Sequence, residues 1–310
     1  MHARVTIDSD VRPRFTATYL RIAGDECAFV EAHTSHATPR MLEALRANGK
    51  RPEDVRYVVV THAHLDHAAG ASALLRACPN ATLLAHPRTA KNLIDPAKLV
   101  KSATAVYGEA RFAELYGTIE PIPAERVRAL EDQETFELGG ATFRVLHTFG
   151  HAYHHFAVHD VAMETVFTGD TFGLVYPDLQ ARGRFALPST SPTGFDAVEA
   201  HKSIDRVLAT GAKTACLTHY DGYADVDVIA GQLRAWVDRA EAWVAEAARG
   251  DESVEAITKR LAVAWRKAIE DESARRGLGF DAAAFDLLAL DIELNAQGLA
   301  FVAEARRNPS

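Results

Sequence analysis

Four side chains able to bind a metal crowd into six residues of this chain: His62, His64, Asp66 and His67 form the pattern H-x-H-x-D-H within THAHLDHAAG. Neutral imidazole and carboxylate suit Zn2+, Fe or Mn, and a loop at a strand end lets alternate side chains converge where a regular strand would turn them apart. As passive core the cluster would be costly, since every buried polar atom needs a partner. Three more candidates follow: His151 in TFGHAYHH, Asp170 in VFTGD and His219 in CLTHYDG. Each ends a strand-like run beside a small or turn residue, where α/β proteins display functional groups. A solvated polar loop would explain the first motif alone, but not the three that follow it in this order.

The elements that must carry these residues are legible from pattern. Thr16 to Ile22 and Cys27 to Val30 read as strands around a turn at Gly24 and Asp25, followed by a helix from Pro39 to Asn48 that Gly49 caps. The β-branched run from Val55 to Thr61 reads as a buried strand that delivers the histidine motif. Further strands are expected at 82–85, 135–138, 142–148, 156–158, 166–168 and 214–217. Between them, residues 88–120 read as mainly helical and lid-like, with Tyr107, Phe112 and Tyr116 among polar residues. From Asp225 to Arg306 the pattern is helical, broken near Gly250 and at Gly277 to Gly279, and it holds all three tryptophans, Trp236, Trp243 and Trp265. Leu233, Trp236, Val237, Ala240, Trp243 and Val244 repeat at helical spacing, which predicts a packed face and leaves a dimer seam or an acyl-binding wall open. The expected organisation is a catalytic domain over 1–224 and a helical C-terminal extension over 225–310.

Composition bounds the rest. With 310 residues, 48% of them hydrophobic, the chain can bury a real core. Acidic residues (42) outnumber Lys plus Arg (34), giving a net charge of −8 with no dense basic run, so no nucleic-acid partner is expected. No stretch approaches the ~20 apolar residues of a membrane span, so no membrane partner is expected either. The segment MHARVTIDSDVRPRF is broken by charges before an apolar run builds, which does not read as a secretory signal and makes the cytoplasm the expected location. Cys27, Cys78 and Cys216 are odd in number and far apart, which disfavours disulfides and cysteine-type zinc sites.

The seven ordered positions, with their flanking residues, resemble the metallo-β-lactamase fold superfamily over roughly residues 14 to 222. That resemblance implies an α/β (αββα) fold, a four-layer sandwich of two mixed β-sheets flanked by helices. It implies a dinuclear centre in which His62, His64 and His151 bind one metal, Asp66, His67 and His219 bind the second, and Asp170 bridges them. It implies a hydrolase: a metal-bridging hydroxide would cleave an ester, thioester or lactone of a small molecule, with Asp66 and Asp170 as the catalytic carboxylates. Two Zn2+ per chain are expected, with Fe or Mn open because the ligand set tolerates all three. The family's diiron flavoproteins usually carry Glu where this chain has His64, and its nucleic-acid-processing members add a large inserted domain with no room here. Alternatives on the same fold are a phosphodiesterase, an iron-dependent sulfur dioxygenase, or a metal-binding signalling effector with incidental hydrolase activity.

One departure stands out. Relatives often show an Asp-Thr-Gly turn after the second strand, and this chain has Glu31, Ala32 and His33. Glu31 could take over the supporting role of that Asp, which would bring His33 and His36 near the pocket. His155, four residues after His151, stands where relatives often keep a supporting histidine, and His154 could face substrate or water. Tyr220 could reach a substrate oxygen, with Tyr153 and Tyr176 as weaker candidates. His86, His147, His159 and His201 read as surface or satisfied core residues. Substrate choice would lie in 88–120, the loop from Thr171 to Thr193 with Arg182 and Arg184, and the helical tail. A basic cluster of the kind glutathione thioesterases use is missing after His219. A homodimer and a monomer both stay open.

Overall fold

Runs of alternating or continuous apolar residues form the strands, and most of them lie in the first of two units into which the chain divides. The computed structural model describes residues 2–8, 12–192 and 194–308, so Thr193, the end of the candidate substrate loop, lies outside the described residues. Met1–His147, His154–Gly169 and Thr210–Tyr223 make the first unit; Thr148–Tyr153, Asp170–Ala209 and Ala224–Ser310 make the second.

In the first unit one sheet runs β1 (His2–Asp8), β2 (Ala17–Ala23), β3 (Glu26–Val30), β4 (Val55–Val60), β5 (Thr82–Ala85) and β6 (Val127–Ala129), in that spatial order. The pairs β1–β2 and β2–β3 are antiparallel, whereas β3 to β6 pair in parallel. β4 therefore has parallel neighbours on both edges, in keeping with a sequence that is apolar and buried except at the exposed Arg56. β1 and the three-residue β6 were not anticipated from the sequence. β1 is an edge strand whose Ala3, Val5 and Ile7 alternate, but only Ile7 is buried, so its apolar signal is diluted.

The other sheet has the order β12-β11-β10-β9-β8-β7, from β7 (Thr135–Leu138), β8 (Ala141–His147), β9 (Phe156–Asp160), β10 (Thr165–Leu174), β11 (Thr214–His219) and β12 (Asp221–Tyr223). β10 runs well past the expected 166–168 and carries the chain into the second unit after Gly169. Between the sheets, Tyr19 on β2 meets Phe167 on β10 with ring centroids 5.3 Å apart. Beside them Arg21 pairs with Asp160, both side chains fully buried.

Helices α1 (Thr38–Ala47), α2 (Leu65–Ala68), α3 (Ala71–Ala77), α4 (Pro87–Ile94), α5 (Ala97–Tyr107) and α6 (Glu109–Tyr116) complete the first unit. Met41, Leu45, Leu74 and Leu93 from these helices bury against Leu20, Phe29, Val58 and Leu83 of the sheet. α5 is different: none of its residues is buried, so it adds nothing to the core. In the second unit, α7 (Ala197–Ala209) is followed by α8 (Val226–Ala247), α9 (Val254–Arg276) and α10 (Ala282–Arg307). Ser253 and Asp281 cap α9 and α10 by accepting from the amides of Ala256 and Ala284, and Gly277 ends α9 in the left-handed region. The tryptophan stripe packs inside this unit, where Trp265 lies between Trp236 and Trp243 with centroids 5.3 and 5.1 Å away. Two mixed sheets flanked by helices, with a helical C-terminal region, agree with the fold class the sequence implied. No described helix is long and apolar enough to cross a membrane.

Candidate metal centre

β4 ends at Val60, and the next residues turn sharply into α2, with the His64 carbonyl accepting from the amides of His67 and Ala68. This turn gathers the motif's imidazoles: the His62 ring centroid is 4.4 Å from that of His64, edge-on, and 4.0 Å from that of His67, tilted. His219, at the end of β11, joins them. Asp66 Oδ2 lies 3.4 Å from His67 Nε2 and 3.4 Å from His219 Nε2. Asp66, His67 and His219 thus offer three ligand atoms within 4.8 Å of one another. His62 and His67 are fully buried, while the Asp66 side chain is 40% exposed and opens the cluster to solvent. Desolvation opposes its charge, but the imidazoles of His67 and His219 hold the Asp66 carboxyl well below the usual carboxylate range. Tyr116 of α6 feels that charge: burial, a hydrogen bond to Tyr107 and Asp66 together push its hydroxyl up.

Glu31 sits behind this cluster, buried and at a φ of 69°. Its carboxylate accepts from His67 Nδ1 at 3.0 Å, the Thr61 amide at 3.2 Å, the Thr218 hydroxyl at 3.2 Å and the Thr61 hydroxyl. The Thr61 hydroxyl has then spent its proton, so its contact with His62 Nδ1 at 3.0 Å runs the other way, with the imidazole donating. Both histidines therefore turn an Nδ1–H to the protein, which leaves Nε2 as the nitrogen available to a cation. Glu31, His62 and His67 also fall within 4.8 Å of one another. The Glu31 carboxylate there is already surrounded by N–H and O–H donors, an arrangement suited to orienting His67. The sequence marked Glu31 but not Thr61 or Thr218, which flank His62 and His219 directly.

His155 is fully buried, its ring centroid 4.9 Å from that of His62. Gly169, at a φ of 51°, passes so close that a Cβ would come 2.5 Å from His155 Nε2 and 2.6 Å from Thr61 Oγ1. His154 accepts from the Ala63 amide through Nδ1 at 3.3 Å and packs edge-on to His64.

His151 and Asp170 belong to the second unit. There His151 Nδ1 donates to the Ser189 carbonyl at 3.1 Å, and its Nε2 lies 3.6 Å from Asp170 Oδ2. A carbonyl can only accept, so His151 is a third histidine that turns an Nδ1–H to the protein and leaves Nε2 as the nitrogen available to a cation. The donor chemistry fits a divalent metal: imidazoles whose Nδ1 protons are engaged by the protein, together with carboxylates.

Other candidates are engaged elsewhere. His33 contacts the Thr16 hydroxyl at 2.8 Å, and His36 donates to the Ala113 carbonyl at 3.0 Å. Tyr220 is buried; desolvation and the neighbouring Asp8 and Asp221, with a hydrogen bond to Asp8, push its hydroxyl up. Tyr176 is buried and donates to Asp291, whereas Tyr153 is 46% exposed. His86 packs on His147 at 4.4 Å, and His201 pairs with Asp238. Arg184 holds Asp225 through two nitrogens, so its charge is matched within the chain.

The family model described as the metallo-beta-lactamase superfamily matches residues 11–219. The chain belongs to the metallo-β-lactamase superfamily. Its fold is that of the superfamily's metal-dependent hydrolases. The metallo-beta-lactamase fold-containing protein ST1585 of Sulfurisphaera tokodaii is 32% identical over 140 residues, 44% of this chain and 49% of that protein. The crystal structure of ST1585 from Sulfolobus tokodaii superposes with a TM-score of 0.66 at 21% identity, covering 96% of this chain and 98% of that one. An atrochrysone carboxyl ACP thioesterase of Aspergillus fumigatus is 27% identical over 156 residues, 50% of this chain and 39% of that protein. This metallo-β-lactamase-fold chain therefore spans half or less of the relatives matched by sequence. A diiron chemotaxis sensor, ODP, shares the fold with a TM-score of 0.54 at 13% identity, covering 74% of this chain and 94% of that one.

Proposed function

We propose that the chain is a hydrolase of small-molecule acyl compounds, cleaving a thioester, ester or lactone at a dinuclear zinc centre. His62, His64 and His151 would hold one ion, Asp66, His67 and His219 the other, and Asp170 would be shared. When bound, such ions supply Lewis acidity for a carbonyl oxygen and lower the pKa of water from ~16 to about 7. The observation that carries this reading is the common orientation of His62, His67 and His151, each with Nδ1 held by Thr61, Glu31 or the Ser189 carbonyl and Nε2 left available. Asp66, kept ionised beside His67 and His219, can accept a hydrogen bond from an attacking water and aim its lone pair at the carbonyl carbon. A nucleophilic thiol is not needed, and burial pushes Cys78 up to about 11 and Cys27 and Cys216 up to about 12. The thioester is placed first because a relative bears the name of an ACP thioesterase.

The test is a screen of thioester, lactone, phosphodiester and β-lactam substrates on protein whose metal content has been measured, run with and without oxygen. Oxygen-independent cleavage of acyl substrates that Asp170→Ala abolishes supports the proposal. Turnover that needs iron and oxygen, or cleavage of phosphodiesters alone, would assign a different reaction.

A further inference from the structure

The second unit ties its C-terminal helix to a candidate metal ligand. Asn295, on α10 and 3% exposed, accepts from the Thr190 amide through Oδ1 at 2.7 Å and donates from Nδ2 to the Pro188 carbonyl at 3.0 Å. The Thr190 hydroxyl returns a bond to the Asn295 carbonyl at 3.1 Å. One turn on, Gly298 lies so close that a Cβ would come 1.6 Å from the Thr190 carbonyl oxygen. One turn back, Asp291 accepts from the Tyr176 hydroxyl at 3.2 Å. Positions 291, 295 and 298 share one face of a helix, so α10 grips the 176–190 segment along a single line.

Between the two residues that Asn295 holds is Ser189, and its carbonyl takes the Nδ1 proton of His151. The same stretch is anchored on its other side, where Leu187 and Leu174 exchange backbone hydrogen bonds of 2.8 and 3.1 Å on the strand that carries Asp170. A ligating imidazole depends on its remote N–H bond for tautomer and direction. A backbone carbonyl can supply that bond only if its own peptide is fixed.

We propose that Asn295 is a positioning residue: by clamping Pro188 and Thr190 it aims the Ser189 carbonyl and so holds His151 ready to bind zinc. This rests on the proposed role of His151 as a ligand, and it gives the helical C-terminal region a part in the centre without any contact to metal or substrate.

The test measures zinc stoichiometry and affinity of the full chain by competition with a chromophoric chelator, alongside circular dichroism and thermal unfolding. Asn295→Ala is expected to keep its fold and bind zinc about 10-fold more weakly at the site containing His151, the lower end of the effect of removing a partner bonded directly to a ligand, since Asn295 acts through the Ser189 peptide. Stoichiometry after dialysis should fall from two toward one. Tyr176→Phe, which loosens the same helix face without touching Pro188 or Thr190, should lower stability and leave zinc binding as in the wild type. If Asn295→Ala does not fold, Thr190→Val removes one bond of the same clamp and should weaken zinc in the same direction. A folded Asn295→Ala or Thr190→Val with wild-type zinc binding overturns the proposal, as does an equal loss in Tyr176→Phe. His151→Ala separates the two levels. If it loses zinc while the Asn295 and Thr190 variants do not, only this inference fails; if it binds zinc as the wild type does, the ligand assignment fails and takes this inference with it.

Discussion

Glu31 Oε1 accepts the Nδ1 proton of His67 at 3.0 Å, from a backbone position with a φ of 69°. The carboxylate also takes the Thr61 amide and the hydroxyls of Thr61 and Thr218, so one buried carboxylate fixes the residue that follows β4 and residues on α2 and β11 at once. Glu31→Gln replaces one acceptor oxygen with an NH2 group among donors. We expect zinc affinity to fall about 10- to 100-fold, read by chelator competition, with secondary structure retained. Unchanged affinity would show that His67 needs no support from Glu31.

Gly169→Ala should act on the same cluster from the opposite side. A Cβ there would meet His155 Nε2 and Thr61 Oγ1 at 2.5 and 2.6 Å, in a left-handed conformation that alanine resists. Urea unfolding should register a loss of about 2–4 kcal/mol from strain and overpacking together. A loss below about 1 kcal/mol would mean that β10 can move away from Thr61 without cost.

The buried pair Arg21–Asp160 supports the sandwich rather than the chemistry. With both side chains fully buried, Asp160→Ala strands a guanidinium between the sheets. The expected cost is about 3–5 kcal/mol in denaturant unfolding, with zinc stoichiometry unchanged in the protein that stays folded.

Acid should destabilise the chain partly through His86. Burial first, then the positive charges of His147, His154 and Arg88, bring it from the ordinary 6.5 down to about 4. Between those values the unfolded chain takes up a proton that the folded chain refuses. Stability is therefore whole above about pH 6.5 and falls as pH drops toward 4, by an amount on the order of 1–3 kcal/mol. His86 also caps α4 by accepting from the Arg88 amide, a task asparagine performs well, so His86→Asn should flatten the slope of stability against pH over this window. An identical slope in the variant would remove His86 from the acid response.

The histidine motif, its strand and the later Gly-His, Gly-Asp and Thr-His positions were legible because side chains of these types at strand ends leave a local signature in residue type and spacing. Apolar periodicity located most of the strands and the family resemblance supplied the sandwich; periodicity failed at β1, where an edge strand buries only Ile7, at the three-residue strands β6 and β12, and at β10, whose glycine-rich end hides a strand that continues to Leu174. Glu31 could be noticed as a departure from a familiar turn, but its four bonds depend on residues from three elements. Thr61, Thr218, Ser189 and Asn295 left no signal, since a hydroxyl, a backbone carbonyl or a helix amide gains its role only from what the fold sets beside it.

Removal and return of metal test the central claim most directly. Protein stripped with a chelator and titrated with zinc should show no acyl hydrolysis when metal-free and regain it as binding approaches two ions per chain. Hydrolysis that persists in the stripped protein, or a chain that takes up no zinc at neutral pH, would contradict the account.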